Sequence, residues 1–211
     1  MKNPLRRLIA SALLLTSIAG LAGCEDDGGG SSARSGNPDG PVVAMGDSIT
    51  AGVPEGGTPY PSYLAGMTGK PVINAGSSGE HASEGANRIA AVLGQHKPSH
   101  VLILYGANDV LHEHANAVVI NALIAMIGAA WDHDAVPVIA TIPRMTGTHE
   151  GYNAACASLN NEIRQLAKTE KVKLVDIENV LSGDPALLLP DGLHPTDAGN
   201  EAMARAFAGA L

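Results

Sequence analysis

Five short apolar runs recur along the chain, Val42 to Met45, Val72 to Ile73, Val101 to Tyr105, Val136 to Thr141 and Val172 to Ile177, each bounded by turn residues. Runs this brief read as strands buried on both faces. The intervals between and beyond them carry helical patterns. Ser83 to Leu93 repeats Ala and Ile at helical spacing, Ala115 to Trp131 is longer and more apolar, and Tyr152 to Lys168 alternates faces. Thr196 to Ala210 opens on a capping residue and continues Ala-rich. Strands separated by helices return in the same direction and so pair in parallel, and a parallel sheet needs helices on both faces. The expected fold is α/β, three layers of α/β/α around a five-stranded parallel sheet.

What precedes the first strand has a different character. Lys2, Arg6 and Arg7 stand before the apolar run Leu8 to Ala19, which is too short to span a bilayer and has the form of a targeting leader. The following Leu21-Ala22-Gly23-Cys24 resembles the bacterial lipobox, where cleavage precedes the Cys and its thiol carries a diacylglycerol. That resemblance implies a lipoprotein signal peptide over residues 1–23 and a lipidated Cys24; an ordinary secretory signal cleaved near Ala22-Gly23 is the alternative. Glu25 to Pro38 is Gly-, Ser- and Asp-rich with almost no apolar residues, so residues 24–39 are expected to form a flexible tether. Residues 40–211 suit one catalytic domain. Two or more acyl chains hold a protein on a membrane stably. The expected place is the bacterial cell envelope, periplasmic or outer-membrane face, with the domain tethered as a monomer.

Charge and cysteine content narrow the partners. Without Lys2, Arg6 and Arg7, ten of the 13 basic residues face 21 acidic ones, a formal charge near −11 against −8 for the whole chain. Such a surface repels phosphate backbones, which argues against nucleic acid as a partner. Cys156 is the one cysteine besides Cys24, so no internal disulfide can form, and its expected role is that of a small buried hydrophobe.

Four blocks follow one another in order: Gly46-Asp47-Ser48-Ile49-Thr50, Asn74-Ala75-Gly76-Ser77-Ser78-Gly79, Gly106-Ala107-Asn108-Asp109 and Asp191-Gly192-Leu193-His194-Pro195. The first three lie at the ends of the first three strands, where open α/β sheets build their sites. A serine hydroxyl is a poor nucleophile unless a base removes its proton, and an imidazole suits that task. Ser48 and His194 are the candidates, and Asp191 can hold the ring in the useful tautomer. A Gly-x-Ser-x-Gly elbow would need glycine at position 50, which is Thr50, so the α/β-hydrolase pattern is disfavoured.

The ordered set resembles the SGNH hydrolases, also called GDSL esterases, with Ser48, Gly79, Asn108 and His194 at the matching positions. The resemblance implies a flavodoxin-like strand order and an oxyanion hole made by the backbone N–H groups of Ser48 and Gly79 with the side-chain amide of Asn108. It also implies a serine esterase acting through an acyl-serine intermediate on short- to medium-chain acyl esters, thioesters or lysophospholipids, with no metal and no organic cofactor. A carbohydrate O-acetylesterase of the envelope is an alternative. Aromatic residues make up only 3% of the chain, which weakens it, because sugar clefts rely on aromatic platforms. A catalytically silent ligand-binding lipoprotein has no need of Ser48, Asn108, Asp191 and His194 together.

Plainer roles are expected elsewhere. Asp47 caps backbone amides and Asp109 is structural, while Ser77 and Ser78 line the site or lead into a helix. His112-Glu113-His114 lacks the His-Glu-x-x-His spacing of a zinc helix and reads as a solvated face. His81, His96, His100, His133 and His149 are expected at the surface. Val53, Pro54, Val110, Leu111, Leu188 and Leu189 can line an acyl pocket or equally pack in the core.

Overall fold

Five parallel strands, β1 (Val42–Gly46), β2 (Val72–Gly76), β3 (His100–Leu104), β4 (Val136–Ala140) and β5 (Lys173–Val175), form one sheet in the order β2-β1-β3-β4-β5. The computed structural model describes residues 37–182 and 184–211; the leader, Cys24 and the chain to residue 36 lie outside them. Asn37 to Asp39, assigned to the tether by composition, form a turn docked on the domain. Asn37 donates its backbone N–H to Asp134 O at 3.0 Å and its side-chain amide to Lys97 O at 2.9 Å.

The three inner strands β1, β3 and β4 are apolar along most of their length because both faces are covered. β1, the central member of the first three, is fully buried along its length. Among the described residues eight α-helices connect and cover the sheet: α1 (Ser48–Ala51), α2 (Tyr60–Thr68), α3 (Ala82–His96), α4 (Ala107–Leu111), α5 (Asn116–Asp132), α6 (Asn153–Glu170), α7 (Ile177–Leu181) and α8 (Asp197–Ala208). The step from β1 to β2 runs one way across the sheet and every later step runs the other way. Right-handed crossovers therefore put α2 on one face and α3, α5 and α6 on the opposite one. The packing agrees: α2 pairs with α8, and α3, α5 and α6 adjoin in turn. Tyr60 and Phe207, both fully buried, stack at 4.9 Å between ring centroids to join α2 and α8. Among the described residues no helix is long and apolar enough to cross a membrane.

Register sets the edge on which a site can form. Gly46 of β1 stands beside Gly76 of β2 and Leu104 of β3, so the three strands end level with one another. A Cβ on Gly46 would run into the Thr50 side chain and one on Gly76 into the Ala51 backbone; glycine at both lets α1 lie directly against the strand ends.

One expectation shifts and one helix is added. The last strand stops at Val175 rather than Ile177, because Asp176 leaves the ladder to cap α7, accepting from Asn179 N. Helix α2 carries Pro61 and Gly66 and has little amphipathic contrast, which hid it from periodicity.

Two buried asparagines stitch helices to loops. Asn160 of α6 accepts from Ile142 N at 2.9 Å and donates to Ile142 O at 3.0 Å just beyond β4. Asn200 of α8 does the same for Tyr60 N and Gly56 O. Replacing Asn160 by Leu keeps the branched shape and orphans two buried backbone groups, at roughly 1–3 kcal/mol each. Urea unfolding should show a loss of about 2–6 kcal/mol; a loss below about 0.5 kcal/mol would mean that Ile142 finds other partners.

Candidate active site

Three of the four blocks leave the sheet at the level edge. Ser48 opens α1 directly after β1, Gly79 lies three residues beyond β2, and Asn108 sits in the first turn of α4 after β3. The fourth block arrives from the loop before α8. There Ser48 Oγ and His194 Nε2 are 2.8 Å apart, and His194 Nδ1 is 2.7 Å from Asp191 Oδ2. The structure thus brings Ser48, His194 and Asp191 into one hydrogen-bonded line across 146 residues of sequence.

Local chemistry holds the His194 loop in shape. Asp191 Oδ1 accepts from the backbone N–H groups of Leu193 and His194 at 2.8 and 3.0 Å, folding the segment around its own carboxylate. Gly192 has φ +73° and lies against the Thr146 carbonyl, where no side chain fits. Thr146 N donates to Gly192 O at 2.8 Å, and Leu189 N donates to His194 O at 2.8 Å. Partial burial works against ionisation of Asp191. The hydrogen bonds from Leu193 N–H and the His194 ring outweigh it and hold the carboxyl below its ordinary range. A carboxylate only accepts, so Nδ1 carries the ring proton and Nε2 is left to accept from the Ser48 hydroxyl.

The other two blocks present donors. Gly79 has φ +80° with open space where a Cβ would be, so glycine serves its backbone conformation rather than a tight contact. Asn108 is nearly buried and donates one amide hydrogen to Glu80 O at 3.0 Å, leaving the second free. Asp109 accepts from Ala82 N at 3.0 Å, tying α4 to the start of α3. Ser77 and Ser78 are exposed, and Ser77 N donates to Gly46 O. Of the apolar candidates for an acyl pocket, Val110 and Leu188 belong to the core and Pro54 is exposed, while Val53, Leu111 and Leu189 are partly buried.

Some histidines are better partnered than their sequence context suggests. His149, in the short helix Gly147–Tyr152, donates from Nδ1 to Asp191 O at 2.7 Å and so touches the loop that carries the imidazole. His81 pairs with Glu84 at 2.9 Å and meets His112 at 3.1 Å, with His114 packed against its ring. His112 and His114 are exposed, in keeping with a solvated face. Among the described residues no three His, Cys, Asp or Glu side chains are placed to hold a metal ion. Cys156 is buried, and burial pushes its thiol up to about 11.

Known proteins resemble this chain in sequence and fold. The sequence profile of the GDSL-like lipase/acylhydrolase family matches residues 44–202. An arylesterase of Vibrio mimicus is 32% identical over 127 residues, 59% of this chain and 61% of the relative, so the match spans less than two thirds of that protein. The thioesterase 1/protease 1/lysophospholipase L1 of Escherichia coli K12 is 28% identical over 159 residues, 73% of this chain and 74% of the relative. A solved lipolytic protein of the G-D-S-L family from Desulfitobacterium hafniense superposes with a TM-score of 0.72 at 25% identity, covering 81% of this chain and 98% of that one.

Beneath the nucleophile lies an uncompensated acid. Asp47 Oδ1 caps α1 through Ile49 N at 2.9 Å, while Oδ2 is buried without a hydrogen-bond partner among the described residues. Burial, against the Ile49 hydrogen bond and with the nearby charges of Asp109 and Glu80, raises this carboxyl to about 7. The unfolded chain releases the same proton near pH 4. Between the two values the folded state holds more protons than the unfolded one, so rising pH favours unfolding. The melting temperature of the parent should therefore fall relative to that of Asp47→Asn from about pH 4.5 to about pH 7.5. A difference that stays constant across this window would mean that Asp47 is already ionised throughout.

Proposed function

Because the chain belongs to the GDSL-like lipase/acylhydrolase family, we propose that it hydrolyses carboxylic esters through an acyl-serine intermediate, with Ser48 as nucleophile. The observation that carries this reading is the unbroken line from Ser48 Oγ through His194 to Asp191. Ser48 attacks the acyl carbonyl as its proton passes to Nε2, and Asp191 stabilises the imidazolium that forms. The developing oxyanion accepts from Ser48 N–H, Gly79 N–H and the free amide hydrogen of Asn108. Collapse expels the alcohol, which leaves with the proton from His194. Water, deprotonated by the same ring, then releases the acid.

Short- to medium-chain acyl esters are the substrate class, with thioesters and lysophospholipids in the same chemistry. The names of the arylesterase and thioesterase/lysophospholipase relatives support it. The scarcity of aromatic rings speaks against a dedicated sugar groove. A hydrolysis panel from acetyl to long-chain aryl esters, with an acyl thioester, a lysophospholipid and an acetylated glycan alongside, tests the range. Turnover confined to the glycan would replace the substrate class.

Ser48→Ala should abolish both hydrolysis and labelling by a serine-directed fluorophosphonate while the cooperative melt persists. Full activity in that variant would remove Ser48 from its role. Asn108→Ala should lower kcat by roughly 10²–10³ with little change in KM. A variant that loses affinity alone would make Asn108 a substrate-binding residue.

The leader supports a place at the envelope, with the domain held by lipid on Cys24. Cys24→Ser should then appear in the soluble fraction with unaltered kcat/KM. Retention on membranes after a salt wash would point to another attachment.

A further inference from the structure

Gly79 and Asn108 stand on different elements, yet an oxyanion hole needs their donors aimed at one point. Gly79 has no side chain and open space around its α-carbon, so nothing of its own anchors it. The anchor is its neighbour. Glu80 uses its carbonyl to take the Asn108 amide hydrogen at 3.0 Å, which couples the second block to the third. Its carboxylate is gripped by Arg88 of α3 in a two-pronged pair, Nε to Oε1 at 2.7 Å and Nη2 to Oε2 at 2.6 Å. Arg88 Nη2 also donates to Ala75 O in β2 at 2.7 Å and to the Tyr105 hydroxyl at 2.9 Å. Tyr105, the last residue before the third block, in turn donates to Glu80 Oε2 at 2.6 Å. Its hydroxyl reaches that far because Gly85 of α3 lies flat on the ring: a Cβ there would fall 2.5 Å from it.

We propose that Arg88 is a positioning residue for the oxyanion hole, fixing through Glu80 both the Gly79 N–H and the Asn108 amide. The proposal rests on the assignment of Gly79 and Asn108 as oxyanion donors. The ends of β2 and β3 and the first turns of α3 converge on this one guanidinium. The Glu80 side chain is only 10% exposed and that of Arg88 29%. A partly buried ion pair of this kind returns little net stability, because desolvation offsets the attraction. A planar, two-pronged pair does fix direction. Burial and then the Glu80 hydrogen bond raise the Tyr105 phenol far above its ordinary range, so it stays a donor in the cluster.

The test is a double-mutant cycle on ester hydrolysis. Arg88→Gln removes the two-pronged grip and should lower kcat roughly 10- to 100-fold with KM within about two-fold, since misplacing a donor by about 1 Å costs on that order. Arg88→Lys, which keeps the charge without the fork, should recover only part of the loss. In an Asn108→Ala background Arg88→Gln should cost much less than it does alone, because both act on the same transition-state contact. Full multiplicative losses, with Asn108→Ala itself impaired in kcat, would overturn the positioning role while leaving the oxyanion assignment standing. A normal kcat in Asn108→Ala would overturn the assignment and the proposal together. Should Arg88→Gln fail to fold, Tyr105→Phe removes one hydroxyl from the same cluster and keeps the ring under Gly85. It should show the same selective loss of kcat, and unchanged kinetics in a folded Tyr105→Phe would overturn the proposal.

Discussion

The register of three parallel strands governs everything above the sheet. Because Gly46, Gly76 and Leu104 end level, the chain emerges three times at one edge, each time into a turn that carries a polar group of the site. The site lies at the carboxyl ends of β1 and β3, on either side of which the chain crosses in opposite directions, the place where open sheets of this order bind ligands. The fourth contribution comes from a distant segment and needs its own delivery. Asp197 at the start of α8 accepts from Thr58 N at 2.9 Å and from the Tyr63 hydroxyl at 2.8 Å. With Asn200 and the Tyr60–Phe207 stack, it locks α8 to α2 and its preceding loop. The imidazole then stands at the start of a helix whose position is set on one side, while Thr146 and His149 hold its loop on the other.

Four carboxylates surround the site, and each is compensated differently. Asp191 is bonded by two backbone amides and a ring, and stays ionised. Glu80 is held by Arg88 and Tyr105, and Asp109 by Ala82 N with His114 at 3.2 Å. Asp47 has one backbone amide and no cation, and it is the member whose burial prevails. The charge that faces the ring therefore persists at neutral pH, while the acid next to the nucleophile is the one whose titration moves up toward neutrality.

Much of this was legible in the sequence, because the strands are short apolar runs and the blocks are local. The parallel α/β architecture and the positions of the blocks at strand ends follow from pattern alone. What pattern does not carry is pairing between distant side chains. Nothing beside Arg88 in sequence marks it as the partner of Glu80, eight residues earlier, since the pair exists only because α3 turns back over the end of β2. Asn160 and Asn200 look like polar residues on solvated helix faces, and their burial depends on which loops fold beneath them. His149 met no partner in sequence for the same reason: the carbonyl it bonds lies 42 residues away. Pattern also overruns a strand end where a capping residue intervenes, as at Asp176.

The division of labour between apolar and polar contacts follows from their energies. A buried aliphatic or aromatic side chain contributes roughly 1.5–3 kcal/mol, whereas a typical hydrogen bond returns only about 0.5–1.5 kcal/mol after its groups have left water. The sheet and the faces of α2, α3, α5, α6 and α8 therefore dominate stability. The segments that carry Ser48, Asn108 and His194 add Ile49, Val110 and Leu193 to that core, and hydrogen bonds set where their polar groups point. Dispersion is nearly indifferent to small rotations, while a hydrogen bond weakens steeply once its angle falls below about 120°. A site that must aim three donors and one ring at a single carbonyl is for that reason tied down by polar pins such as Glu80, Asp191 and Asp197. These pins determine where the groups stand, and the core beneath determines whether the chain is folded at all.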